Sequence, residues 1–262
     1  MAAIASTEAR SREVQRPDGV GYRHDYYGTP GVIDTSPQAF LVELPYAGAT
    51  VRPHFHDIDQ FQVVVAGNGR IGKKALAPIT FQYADAYTPY GPIVANDDGI
   101  SFFTLRNVSS GGHYKMPGSK HLMACRAGRN IAGAFDTQAP LPGAGESTTE
   151  TLLSAQQDGV LAIGIRLGAG AQHAPPRSDA GGQYLLVCSG SLVAEDGRQL
   201  PANSVLRTES GETGSTLIAG DNGAAVLVLQ FGRPSSRPGS DPAVLAARDP
   251  DAYVHRKADA QT

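Results

Sequence analysis

The chain has 262 residues, including 31 Gly and 18 Pro, and its 22 Lys+Arg against 25 Asp+Glu leave a formal net charge of −3. That balance offers no basic surface to coat a phosphate backbone, which excludes general nucleic-acid binding. No apolar run approaches the roughly 18 residues that a membrane-spanning helix needs. A hydrophobic fraction of 41% can fill a core, while frequent Gly and Pro interrupt long helices, so the composition points to a turn-rich all-β protein.

The N-terminus lacks a basic segment followed by an apolar one, so no secretory signal is read there. Residues 1–35 are expected to form an arm, with the aromatic cluster around His24 packing on a barrel or on a partner. Cys125 and Cys188 lie outside any CxxC pair and are expected as reduced thiols in a cytoplasmic protein.

Short apolar runs bounded by Gly, Pro or Asp then follow. In the first half they are 40–43, 61–66, 79–83 and 100–106, with Gly67-Asn68-Gly69 read as a hairpin turn. Residues 36–108 are expected as one barrel. Residues 109–150, rich in Gly, Ala, Pro and Ser, read as a linker with one helical turn near 119–127. A second set of runs at 160–166, 184–188, 204–207, 215–219 and 224–230 reads as a second barrel over 151–232. Residues 233–262 read as a tail, with a short helix at 242–248.

The halves share a template. Gln60-Phe-Gln-Val-Val-Val-Ala-Gly67 aligns with Gln183-Tyr-Leu-Leu-Val-Cys-Ser-Gly190, a separation of 123 residues. The segments Ala47-Gly48-Ala49 and Ala169-Gly170-Ala171 precede them in the same way. A repeat of this length points to a duplicated domain.

The chemistry concentrates in one stretch. His54 and His56 are two apart, so on a strand both imidazoles project from one face and can bind one metal ion. Gln60 follows a short turn and offers an amide oxygen as a third donor. Imidazole with hard oxygen suits Fe, Mn, Ni, Zn or Cu. The full spacing, Gly48-x5-His54-x-His56-x3-Gln60-x6-Gly67, resembles the first cupin motif, whose Gln place is usually Glu. Asp85, Pro89 and Gly91 match places of the second motif, but Val94 stands where its His belongs and Asp98 where its Asn belongs.

The resemblance implies two jelly-roll barrels in one chain. The candidate metal site lies in the N-terminal barrel, and the C-terminal one is degenerate. There His173 is isolated and Gly214 stands in a ligand's place. Two imidazoles and a neutral amide would leave the ion's charge uncompensated, favouring an oxygen-rich organic anion as substrate. Arg52, Gln62, Tyr87 and Tyr90 are the residues expected to orient it. Arg106 reads as a solvated strand end and Val94 as an apolar wall. Asp57 and Asp59 are stand-in carboxylate ligands should Gln60 point elsewhere. The linker's His113, Lys120 and His121 are loop residues, one of which could fold over the barrel mouth, and His255 reads as surface.

The expected function is thus a metal-dependent, small-molecule enzyme. Iron-dependent dioxygenase chemistry is its first form, with isomerase or lyase chemistry through an enolate next. The alternative is a metal-free bicupin that binds or senses a small ligand, with the histidines as hydrogen-bonding residues. The partner is a small molecule, with neither nucleic acid nor membrane, and a homodimer through edge strands is open.

Overall fold

A computed structural model describes residues 1–32 and 34–241. The expected helix at 242–248 and His255 lie outside the described residues. Strands dominate, and the only helical pieces among the described residues are two short 3-10 turns, Ser6–Glu8 and Lys120–Leu122. No helix among them is long and apolar enough to cross a membrane.

The chain divides into two compact units. The first comprises Ser11–Ala77, Phe81–Ala132 and the described residues from Pro234; the second comprises Met1–Arg10, Pro78–Thr80 and Gly133–Arg233. The first 35 residues, read as an arm, instead carry strands Ala2–Ile4, Arg10–Arg16 and Gly19–Tyr27. Strand Ala2–Ile4 pairs with Val205–Arg207 inside the second unit, and Gly19–Tyr27 pairs with Gln38–Leu44 inside the first. The segment read as a linker contributes strands Tyr114–Lys115, Asn130–Ala134 and Ser147–Leu153.

In the first unit, strand Gln60–Ile71 lies between Thr80–Ala84 and Ile93–Arg106, and Gln38–Leu44 follows on the far side of Ile93–Arg106. In the second unit, Gln183–Val193 lies between Val205–Thr208 and Leu217–Gln230, with Leu161–Leu167 beyond. The two units therefore repeat one order of strands. Phe61 opposes Leu105 and Gly67 opposes Ile100 in one; Tyr184 opposes Leu229 and Gly190 opposes Ala224 in the other.

The repeat explains why Gly67-Asn68-Gly69 is not a hairpin turn. These residues sit inside the twelve-residue strand Gln60–Ile71. Gly67 has φ +70, and a Cβ there would lie 2.2 Å from the carbonyl oxygen of Gly99. Gly190 and Gly223 reproduce the arrangement in the second unit, with φ +66 and a Cβ-to-oxygen distance of 2.0 Å. Both places need glycine because backbone meets backbone there at a bulge. The fourteen-residue partner strand outweighs the local turn preference.

The interior of the second unit is apolar. Leu185, Val187, Leu192, Leu206, Val226 and Val228 belong to one buried cluster. The first unit has a buried cluster of its own, including Leu44, Val51, Val64, Ile93, Ile100 and Phe102, but beside it lies a polar layer. Gln62 opposes Gln82 and Thr104 across its neighbouring strands. The matching residue, Leu185, opposes Leu206 and Val228. At these places the first unit holds amides and a hydroxyl, and the second holds leucine and valine.

Candidate functional site

His54 and Phe55 form a two-residue strand that pairs with Tyr114 and Lys115. A backbone pair of hydrogen bonds between His54 and Tyr90 ties this strand to the segment after Thr80–Ala84. Alternation does the rest: Phe55 points away from its neighbours and stacks on Tyr114, ring centroids 4.9 Å apart. His54 and His56 project together, with ring centroids 5.0 Å apart at 83°. Both are buried.

The tautomers follow from the partners. Nδ1 of His54 lies 2.7 Å from the carbonyl oxygen of Arg52, and Nδ1 of His56 lies 2.5 Å from that of Gly112. A carbonyl only accepts, so each Nδ1 carries the hydrogen and each Nε2 carries the lone pair. Burial, reinforced by the charge of Arg106, lowers the His54 value to about 4. Burial and the same cation push His56 well below its ordinary value too. Both imidazoles are neutral at pH 7. A neutral ring that donates from Nδ1 to a backbone carbonyl is the form in which histidine binds a metal through Nε2.

The third expected donor is engaged otherwise. Oε1 of Gln60 accepts hydrogen bonds from Nε and Nη2 of Arg106 at 3.1 and 3.0 Å. Its Nε2 donates to the hydroxyl of Tyr90. A guanidinium on that oxygen leaves it poorly placed to face a second cation. Asp57 and Asp59 do not replace it: Asp57 accepts from Ser110 and Gly111, and Asp59 accepts from the Ala86 amide. Among the described residues, no three His, Cys, Asp or Glu side chains are arranged to hold a metal ion together.

Arg106 corrects the expectation of a solvated strand end. It is only 5% exposed, and Nη1 also donates to Oε1 of Gln38 at 2.6 Å. Three bonds to amide oxygens offset the desolvation of the guanidinium, which a bare apolar wall would not. Arg52, expected to hold a substrate, is exposed; its part in the site is the carbonyl that orients His54. Gln62 is buried and accepts from Nε2 of Gln82 at 2.6 Å. Tyr90 is buried with its ring centroid 4.6 Å from that of His54, and burial raises its phenol so that it keeps its proton. Tyr87 packs on Phe55, centroids 5.9 Å apart, on the face away from the histidines. Ile93, and not Val94, belongs to the buried cluster.

The residue that sequence reasoning undervalued is His113. Its ring centroid lies 3.9 Å from His54 and 5.8 Å from His56, at the exposed edge of the site. His121 instead bonds the carbonyl of Gly118 on the surface.

In the second unit, the positions 123 residues after His54 and His56 are Arg177 and Asp179, both exposed. Gln183 donates to Gln230 at 2.9 Å, so a neutral pair stands where the first unit has Gln60 with Arg106. His173 bonds Ser147, away from any second histidine. Cys125 and Cys188 are free thiols.

No protein-family model and no curated protein matches the chain. Solved structures do. A protein of Nostoc punctiforme described as a putative dioxygenase is similar with a TM-score of 0.62 and 14% identity, over 87% of this chain and 81% of that one. Oxalate decarboxylase of Bacillus subtilis, studied for its Mn(II) centres, is similar with a TM-score of 0.58 and 12% identity, over 89% and 78%. A two-residue deletion variant of the same decarboxylase gives 0.59 and 12% over the same shares. Identities this low speak to architecture alone, and the architecture that the chain shares with them is the cupin fold.

Proposed function

We propose that the first unit is the binding site of a small, oxygen-rich organic anion, and that His54 and His56 hold a divalent metal ion which that anion completes by chelation. The observation that carries this reading is the pair of buried, neutral imidazoles beside the buried Arg106, with Gln62, Gln82 and Thr104 as a polar wall. The donor set fits an ion in part: each ring presents Nε2 because Nδ1 is committed to a carbonyl, while Gln60 is committed to Arg106. Two protein donors leave most coordination positions to the substrate, which suits a bidentate dicarboxylate, keto acid or enolate. A bound ion would supply Lewis-acid polarisation and, in an iron or manganese form, redox chemistry.

The protein's own groups would perform the rest. Arg106 would neutralise a carboxylate, in a site where little water screens it. Tyr90 retains its phenolic proton and can give or share it with a substrate oxygen near His54. Gln62 and Gln82 would hold neutral oxygens. Dioxygenase chemistry is the first activity to assay, followed by decarboxylation and enolate isomerisation, in line with the names of the similar structures.

A second reading, metal-free binding of the anion, is favoured by the Gln60–Arg106 pair and by the lack of a three-group metal cluster among the described residues. Calorimetric titration with Mn²⁺ or Fe²⁺, and separately with oxalate as a probe anion, distinguishes them. The proposal expects one ion per chain, lost in His54→Ala, and oxalate binding that strengthens when the ion is present. Oxalate binding without any ion, indifferent to added Mn²⁺, would replace it with the second reading.

A further inference from the structure

His56 and Asp57 follow the two-residue strand His54–Phe55, and both meet the hydroxyl of Ser110, which lies 3.3 Å from Nδ1 of His56. Oδ1 of Asp57 accepts from the Ser110 hydroxyl at 2.8 Å and from the Gly111 amide at 2.9 Å. With its hydrogen directed at Asp57, the Ser110 oxygen accepts from the Gly112 amide at 3.1 Å. The Gly112 carbonyl accepts Nδ1–H of His56. The next residue is His113, whose ring lies on His54. Asp57 is 2% exposed, so these bonds are made away from competing water.

From this we infer that Asp57 is the positioning residue of the site: through Ser110 and Gly112 it fixes the tautomer of His56 and holds His113 against His54. The inference deepens the reading of the first unit as a metal and anion site, and its structural half stands apart from that reading. A carboxylate at 57 orders a glycine-rich segment, Ser110-Gly111-Gly112, that would otherwise sample many conformations. Ordering it presents Nε2 of His56 and the ring of His113 from the same side. The link is hidden from a linear reading because Ser110 and Gly112 lie more than fifty residues along the chain from His56 and Asp57.

The test uses the full chain with Asp57→Ala, Asp57→Asn and Ser110→Ala, each confirmed folded by its circular dichroism. Ring nitrogen shifts report the His56 tautomer, amide exchange reports Gly111 and Gly112, and Co²⁺ alone is the metal probe. Asp57→Ala and Ser110→Ala should speed exchange at Gly112 by tenfold or more and mix the His56 tautomers. Asp57→Asn keeps an acceptor oxygen in place and should restore most of both. Loss of such an orienting partner typically weakens metal binding by about 10–100-fold, and Co²⁺ should follow. If Asp57→Ala does not fold, Ser110→Ala, on a partly exposed loop, carries the test. Wild-type exchange and an unmixed His56 tautomer in the folded variants would overturn the inference. Absence of Co²⁺ binding by the wild type, with exchange and tautomer changing as stated, would overturn the metal reading and leave the positioning role intact.

Discussion

Acidification should unfold the first unit through its buried histidines, and His54 allows the size of the effect to be worked out. Its ring is 2% exposed, and burial lowers its value from 6.5 to about 4. The folded state therefore favours the neutral ring, while the unfolded chain protonates near 6.5. The stability that His54 lends is complete above pH 6.5 and declines as pH falls from there towards 4. At about 1.4 kcal/mol per pH unit, the loss across that window is about 3 kcal/mol. His56, displaced in the same direction and for the same first cause, adds to it. The assay is urea unfolding with a chelator present, followed at amide signals of the first unit, at pH 7.0 and 4.0 (roughly the two ends of the window). His54→Asn is the control: its side-chain amide reaches the position of Nδ1, bonds the Arg52 carbonyl and does not titrate. The variant should lose about 3 kcal/mol less than the wild type between the two pH values. Equal losses, or a His54 ring that titrates near 6.5, would refute the burial argument.

Four further outcomes follow from the same geometry. Arg106→Gln copies Gln230 of the second unit, and should fold but lose oxalate binding by tenfold or more in calorimetry. Gln60→Glu should pair with Arg106 and leave Co²⁺ affinity unchanged; a clear gain in affinity would show that the place at 60 is a metal ligand after all. The double change Gln62→Leu with Gln82→Leu copies Leu185 and Leu206, and removing both partners of one bond together should keep stability within about 1 kcal/mol while anion binding is lost. Gly67→Ala forces a Cβ to 2.2 Å from the Gly99 oxygen at a positive φ, and should cost more than about 2 kcal/mol in urea unfolding.

Much of this molecule is legible in its sequence. The repeat of Gln60–Gly67 at Gln183–Gly190 reappears as matching cross-strand registers, because strand pairing depends on alternating residues that a sequence displays directly. The histidine pair was legible for the same reason. Arg106 was not, although alternation placed it on the face of Phe102 and Thr104, both buried; charge at a strand end argued for solvent, and the two amide oxygens that reconcile it with burial come from distant segments. His113 carried no local signal at all. Its position is set by pairing of Tyr114–Lys115 with His54–Phe55 and by Asp57, contacts that span more than fifty residues. Gly67 misled because the Gly-Asn-Gly signal for a turn and the need for glycine at a bulge are written in the same letters.

Anomalous scattering from a crystal soaked in Co²⁺ and oxalate would show whether His54 and His56 form the metal- and anion-binding centre of the first unit. One strong peak bonded to Nε2 of both His54 and His56 is expected, with oxalate oxygens on the ion and a carboxylate facing Arg106. Oxalate seated on Arg106 with no cobalt between the histidines would contradict the metal claim, and cobalt bound elsewhere with neither group at this site would contradict the account as a whole.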